Sequence, residues 1–289
     1  MKISKRIIFY IKITPFKKIP KEVFFRFFPN FAWKINKWQL KKMIRELQKK
    51  NKEFILEIRF GGLGDHLIFS AFPEIFAKKF NIKFYLSSRS VFGHEETRNI
   101  VWRDNPYVKF IDAPGKELSC PKIDKYKNYN DAFADIFELG EEEQKVKIYY
   151  KPKKMDVNEE DILCDLTFGR AGGHNGYKEK IFEDNVIKYL RNNFSDKTFI
   201  LLMPDAEYAD KSLANAVMRS GLKYKIQTVK NIHHLADFLY SYPTRILLYS
   251  GAASLAVAIN CKATVLCNKL SNPYFQYGIH NYVRLVKKD

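Results

Sequence analysis

The sequence predicts an α/β protein: two successive parallel-sheet units facing across a cleft, preceded by a basic, aromatic N-terminal extension. Three observations carry that expectation. From Phe54 onward, short apolar runs alternate with helical stripes; a long polar stretch between Lys116 and Lys153 interrupts the series; and the positive charge is concentrated before residue 54. The 289 residues suffice for about two domains, at roughly 150 residues each. A composition 46% hydrophobic and 15% aromatic excludes a disordered chain. The predicted divisions are therefore an N-terminal segment over 1–53, a first domain over 54–155 and a second over 156–289.

The extension comes first. Residues 1–53 hold 16 Lys/Arg against 3 Asp/Glu, so this segment carries +13 of the formal +18. A uniformly basic nucleic-acid protein would not concentrate its charge this way. Phe16, Phe24, Phe25, Phe27, Phe28, Phe31, Trp33 and Trp38 alternate with cations, and Pro15, Pro20 and Pro29 divide the stretch. From about Trp33 to Lys50, Leu40, Met43, Ile44 and Leu47 fall on one helical face. Aromatic rings beside cations suit the headgroup boundary of an anionic membrane; packing of the segment on the body is the alternative. No run approaches the ~20 apolar residues of a spanning helix. The start lacks a full apolar stretch and a cleavage site, which argues against a signal peptide.

The first unit follows. Phe54–Phe60 reads as a strand, Gly61, Gly62 and Gly64 as a turn, and Asp65 opens a helix striped by Leu67, Ile68, Ala71, Ile75 and Phe76. "NIKFYLSS" and "YVKFIDAP" read as the next strands, which makes a βαβ start to a parallel sheet. In the second unit "DILCDLTF", "TFILLMP", "YKIQTV", "RILLYS" and "ATVLC" read as strands, the last being the final one. Helices are predicted over 181–192, 209–220, 234–240 and 254–259. Together these suggest two Rossmann-like domains.

Several residues carry chemistry. The turn Gly61-Gly62-Leu63-Gly64-Asp65 lies where parallel sheets place ligands, at a strand's carboxyl end and a helix's start. It lacks the dinucleotide spacing, and a carboxylate there would repel a phosphate. Asp65 fits either an N-cap or a proton acceptor for a neutral hydroxyl. A second glycine-rich loop, 169–176, brings Arg170, His174 and Lys178 before a helix; backbone amides and basic side chains suit a diphosphate. Ser250 and Gly251 open a helix and present a hydroxyl and amides to phosphate. His66 and the pair His233-His234 read as packing or capping residues, and Glu141–Glu143 as a solvated run. Cys120, Cys164, Cys261 and Cys267 show neither zinc spacing nor a disulfide framework. No Asp-x-Asp follows a strand, so no metal or cofactor is expected.

The stretch "ILEIRFGGLGDHLIFSAFPEIFAKKF", followed by "DNPYVKFID", resembles the start of the bacterial lipopolysaccharide heptosyltransferases (glycosyltransferase family 9). "LADFLYSYPTRILLYSGAASLAVAINCKATVLC" looks like that family's donor-binding region. The resemblance covers about residues 54–270. It implies the GT-B arrangement, a nucleotide-sugar donor in the second domain, inversion at the anomeric carbon, and Asp65 as general base. It also implies an acceptor-side loop at Gly61, Gly62 and Gly64, and donor contacts from Arg170, Lys178 (with Lys180 as rival), Glu207, Ser250, Gly251 and Ser254. Two positions depart from the family's donor motif: Tyr249 stands for its acidic residue and Ser254 for its histidine.

The expected function is metal-independent transfer of a sugar from a nucleotide-sugar to a glycan or lipid-linked acceptor. The extension would hold the enzyme on the anionic inner face of the cytoplasmic membrane. A non-catalytic GT-B-like binding module is the alternative, and a nucleic-acid-binding arm a further one.

Overall fold

The computed structural model describes residues 29–49, 53–118, 129–140, 146–169, 176–205, 209–268 and 275–286. Two parallel sheets organise them. In the first, β1 (Phe54–Leu56), β2 (Phe84–Ser87) and β3 (Val108–Ile111) lie in the order β1-β2-β3, with Phe54 opposite Phe84 and Leu86 opposite Phe110. The second has β4 (Ile162–Asp165), β5 (Phe199–Pro204), β6 (Tyr224–Val229), β7 (Arg245–Leu248), β8 (Thr264–Cys267) and β9 (Asn281–Arg284). Their order is β6-β5-β4-β7-β8-β9, all parallel. The chain winds outward from β4 in one direction, then returns to start again at β7. That reversal is the switch point beside which doubly wound sheets bind ligands.

The strands are where continuous apolar runs put them. Every residue of β4 is buried, as expected for a sheet covered on both faces. The edge strand β6 is instead mostly exposed, with Tyr224 and Ile226 facing outward. The predicted last strand is not the last: β9 adds itself beyond β8. Its Asn-Tyr-Val-Arg is half exposed and too short to announce itself.

Helices pack around both sheets. Helix α1 (Pro29–Lys49) precedes β1. Its stripe of Leu40, Met43, Ile44 and Leu47 lies against the core, with Ile44 buried. Lys37 pairs with Asp135 at 2.9 Å, and Lys41 with Glu138. The described half of the basic extension is therefore packed onto the body; the aromatics from Phe16 to Phe28 lie outside the described residues. The helix predicted after the first glycine turn is two, α2 (Leu63–Ile68) and α3 (Phe72–Lys78), with a turn at Phe69 between them. Helix α4 (Glu95–Arg98) runs into a π-helical turn over Asn99–Arg103 that buries Trp102 completely. The polar stretch hides helix α5 (Tyr129–Phe137), whose Phe133 and Phe137 meet Phe72 edge-on at 4.9 and 5.2 Å. Helices α6 (Lys180–Phe194), α7 (Ser212–Arg219), α8 (Ile232–Ser241) and α9 (Gly251–Ala258) cover the second sheet. Glu141–Glu143 and Cys120 lie outside the described residues; Cys164, Cys261 and Cys267 are buried free thiols.

The "DNP" motif before β3 has a local purpose. Asn105 is buried, its side-chain oxygen accepts from the Tyr107 amide at 3.0 Å, and its backbone carbonyl accepts from Val108. This closes the turn that feeds β3.

The connection between the sheets is tied down at both ends. The Lys147 ammonium and the Tyr149 hydroxyl donate to Glu74 at 2.7 and 3.0 Å, and Tyr150 and the Lys153 amide donate to Asp237 on α8 at 2.8 Å each. A further link runs directly across: the Glu96 carboxylate accepts the Ile232 amide at 3.0 Å, at the start of α8. An anion there opposes the helix's positive end.

Candidate functional site

Helix α2 leaves the carboxyl end of β1, and α9 leaves the carboxyl end of β7 at the switch point. Their first turns touch. A methyl group on Gly251 would meet Leu63 Cβ at 3.0 Å and the Gly64 amide nitrogen at 3.4 Å; one on Gly64 would meet Ser254 Oγ at 3.5 Å. Glycine at 251 is thus what allows two helix starts to approach so closely. Gly64 and Gly251, expected on separate acceptor and donor loops, face one another across this seam.

Asp65 sits in the seam, but not as an N-cap. The helix begins at Leu63 with Gly62 in the cap position, which puts Asp65 at the third helical residue. Its carboxylate folds back onto the Gly62 amide, one half of a capping box. Burial raises its pKa, and this exceeds the lowering by the Gly62 hydrogen bond. Asp65 is therefore a stronger base than a solvated aspartate. Gly61 is used differently, accepting the Gly93 amide at 2.9 Å in a backbone contact with no room for a side chain.

Ser250 caps α9, its hydroxyl accepting the Ala252 amide at 3.3 Å. Ser254 is buried one turn on. Tyr249, which stands in place of an acidic residue, is turned into the protein: its hydroxyl accepts the Phe275 amide at 2.7 Å and its carbonyl accepts Tyr177 Oη at 3.1 Å. The segment this anchors delivers Tyr277, buried, beside Ser254 and within reach of the Asp65 charge.

The neighbouring strand end contributes two residues that sequence reasoning missed. Asp165 closes β4 and is buried; its carboxylate accepts Thr167 Oγ1 at 2.8 Å and the Thr167 amide at 3.2 Å, and burial raises its pKa. A polar pair after an apolar strand was the available signal. Further round the rim, Lys178 pairs with Asp210 at 2.8 Å, which holds Asp210 below the usual carboxylate range against the opposing effect of burial. Lys180, the rival, pairs instead with Glu183 and Asp184 on its own helix. Arg170, His174 and Glu207 lie outside the described residues.

The histidines have structural roles. His66 is completely buried, accepts the Trp102 indole N–H at Nδ1 (2.9 Å) and donates from Nε2 to the Val91 carbonyl (2.9 Å). Because an indole can only donate, the ring is the neutral Nε2–H tautomer, and burial lowers its pKa to about 4. His234 donates its amide to Asn231 at the start of α8, and the His233 ring meets Tyr150 edge-on. Among the described residues, no helix is long and apolar enough to cross a membrane, and no cluster of three or more acidic, histidine or cysteine side chains is arranged to hold a metal ion.

No protein-family model and no curated protein matches the sequence. Solved structures do. A family 9 glycosyltransferase from Veillonella parvula aligns over 82% of this chain and 86% of its own, at 11% identity and a TM-score of 0.53. TibC from enterotoxigenic E. coli, a dodecameric iron-containing glycosyltransferase, aligns over 74% of this chain and 58% of its own, at 10% identity and a TM-score of 0.50. The dodecameric iron-containing heptosyltransferase TibC in complex with ADP-D-β-D-heptose aligns over 79% of this chain and 62% of its own, at 10% identity and 0.52. The chain thus spans about three-fifths of the TibC structures. It shares the fold of heptosyltransferase-type glycosyltransferases, as the resemblance implied.

Proposed function

We propose that this protein transfers a sugar from a nucleotide-sugar donor to a hydroxyl of a glycan or lipid-linked acceptor, with inversion and without a metal ion. One observation carries the reading. A half-buried carboxylate of raised basicity, Asp65, stands in the first turn of α2, which packs against the start of α9 at the switch point of the second sheet. The diphosphate would sit at that helix start and along the rim toward Lys178, where amides and the ammonium meet its charge. Asp65 would take the acceptor proton as the hydroxyl oxygen attacks the anomeric carbon opposite the leaving diphosphate. Inverting glycosidases do the equivalent with water. The acceptor would approach from the first unit, which divides the labour as 54–155 for acceptor and 156–289 for donor. The donor of the TibC complex, ADP-D-β-D-heptose, makes ADP-sugars the first to test.

The extension would bring the enzyme to the inner face of the cytoplasmic membrane. Support comes from the outer side of α1, where Trp38 is 62% exposed and Lys42 stands over its ring at 5.3 Å. Vesicles rich in anionic lipid should bind the protein at low salt and release it at high salt.

A binding module without turnover is favoured by one contact: Lys178 is already neutralised by Asp210. A screen of nucleotide-sugars with product detection separates the two. Release of nucleoside diphosphate dependent on acceptor supports transfer. Binding without any product, in a protein shown to be folded, would leave the module.

A further inference from the structure

We propose that Tyr277 is a ligand-binding residue of the seam, donating its hydroxyl hydrogen to an oxygen of the donor's diphosphate at the start of α9; this rests on the donor reading above. The hydroxyl is the anomaly of its segment. Phe275 gives its amide to Tyr249 Oη, and Tyr277 gives its own amide to Tyr282 Oη, each at 2.7 Å. Those two tyrosines are thereby satisfied. Tyr277 is only 6% exposed, and its hydroxyl oxygen has no hydrogen-bond partner among the described residues. Ser254 Oγ is its neighbour on α9, in a geometry that makes no proper bond.

An unpaired buried hydroxyl is costly, and a native protein that keeps one asks for an explanation. The surroundings supply it. Burial keeps the phenol protonated, with its pKa pushed up to about 12, so it can only help an acceptor. Its neighbour Ser254 stands one turn into α9, whose start offers backbone amides and a positive dipole end. A diphosphate oxygen is an acceptor that suits both. The phenol also lies near enough to Asp65 to feel its charge. Its O–H would therefore stand close to two anions that otherwise repel, the general base and the leaving group.

A structural tyrosine and a ligand-binding one respond oppositely to loss of the hydroxyl. Full-length wild type, Tyr277→Phe and Tyr282→Phe are compared by calorimetric titration with ADP, UDP, GDP and inorganic pyrophosphate, and by thermal melting without ligand. Tyr277→Phe should weaken binding of whichever probe wild type takes by about 10- to 100-fold, the usual range for a hydrogen bond to a charged group. Its melting temperature should stay level or rise by about 2–4 °C, because an unsatisfied group has gone. Tyr282→Phe removes a made bond and should melt lower. Wild-type affinity in Tyr277→Phe, or a melting temperature lowered as in Tyr282→Phe, overturns the assignment and leaves the donor reading standing. Wild type that binds none of the four probes overturns both.

Discussion

His66 ties stability to pH in a way that can be worked through. Its neutral ring joins three elements: α2 carries it, the Val91 carbonyl receives its Nε2–H, and Trp102 of the π-helical turn donates to Nδ1. Protonation would put a second hydrogen on Nδ1, directly against the indole N–H, inside a fully buried site. The folded pKa of about 4 lies below the ordinary 6.5. The unfolded chain therefore binds a proton that the folded one refuses, and stability falls as pH drops from about 6.5 toward 4. At 1.36 kcal/mol per pKa unit, this amounts to about 3 kcal/mol, lost in full once pH is below both values. His280 is lowered in the same direction, and Glu74, held at about 2 by Lys147, Lys78 and Tyr149 against its own burial, acts at lower pH. Both are common to wild type and a His66 variant, so they cancel in the difference. His66→Gln keeps a donor but cannot titrate, and it orphans the Trp102 indole at about 1–3 kcal/mol. Urea unfolding at pH 7.5 should find the variant less stable than wild type. By pH 4 the gap should close or reverse. Two curves that stay parallel across that range would refute the buried neutral ring.

Further outcomes follow from the seam and from α1. Asp65→Asn should lower turnover by roughly 10²–10⁴ while leaving melting unchanged or higher, since the amide can still accept from Gly62 and no charge is buried; near-wild-type turnover would exclude the base. In wild type the acid limb of kcat/KM should lie above the ordinary aspartate range, because burial raises Asp65; a limb at or below that range would contradict it. Gly251→Ala should cost about 1–3 kcal/mol through its contact with Leu63, whereas Gly64→Ala meets only ordinary contact distances; equal melting of the two would show the seam to be looser than drawn. Ile44→Ala should destabilise by about 2–3 kcal/mol, and a chain starting near Asn51 should fold poorly. A stable truncated protein would mean that α1 merely rests on the body.

Much of the fold was legible because parallel strands buried on both faces read as unbroken apolar runs, as Ile162–Cys164 and Phe199–Leu202 do. Helix α5 was not: Ala132, Phe133, Ile136 and Phe137 have helical spacing, but Asn and Lys around them made the region look like a connection. Strand β9 offers only Tyr282 and Val283 as partly buried residues. At the site, Asp65 was found from its place after a strand and a glycine turn. Its exact helical position was not, because a glycine took the cap that its side chain could have filled. Tyr277 was out of reach altogether. It comes within reach of the Asp65 charge only because the loop before β9 returns to α2, 212 residues away in sequence. Nothing local in "QYGIH" records that meeting.

Glu96 has a mechanical consequence. It belongs to the first unit, yet it supplies the counter-charge for the first turn of a helix in the second. Separating the units would strand the Ile232 amide and the carboxylate together, each having to find water. Parting the units would mean breaking a latch that added salt loosens by screening its electrostatic part. The ties from residues 147–153 hold Glu74 on α3 and Asp237 further along α8, and act as the strap. Ionic strength would then govern how readily the units part.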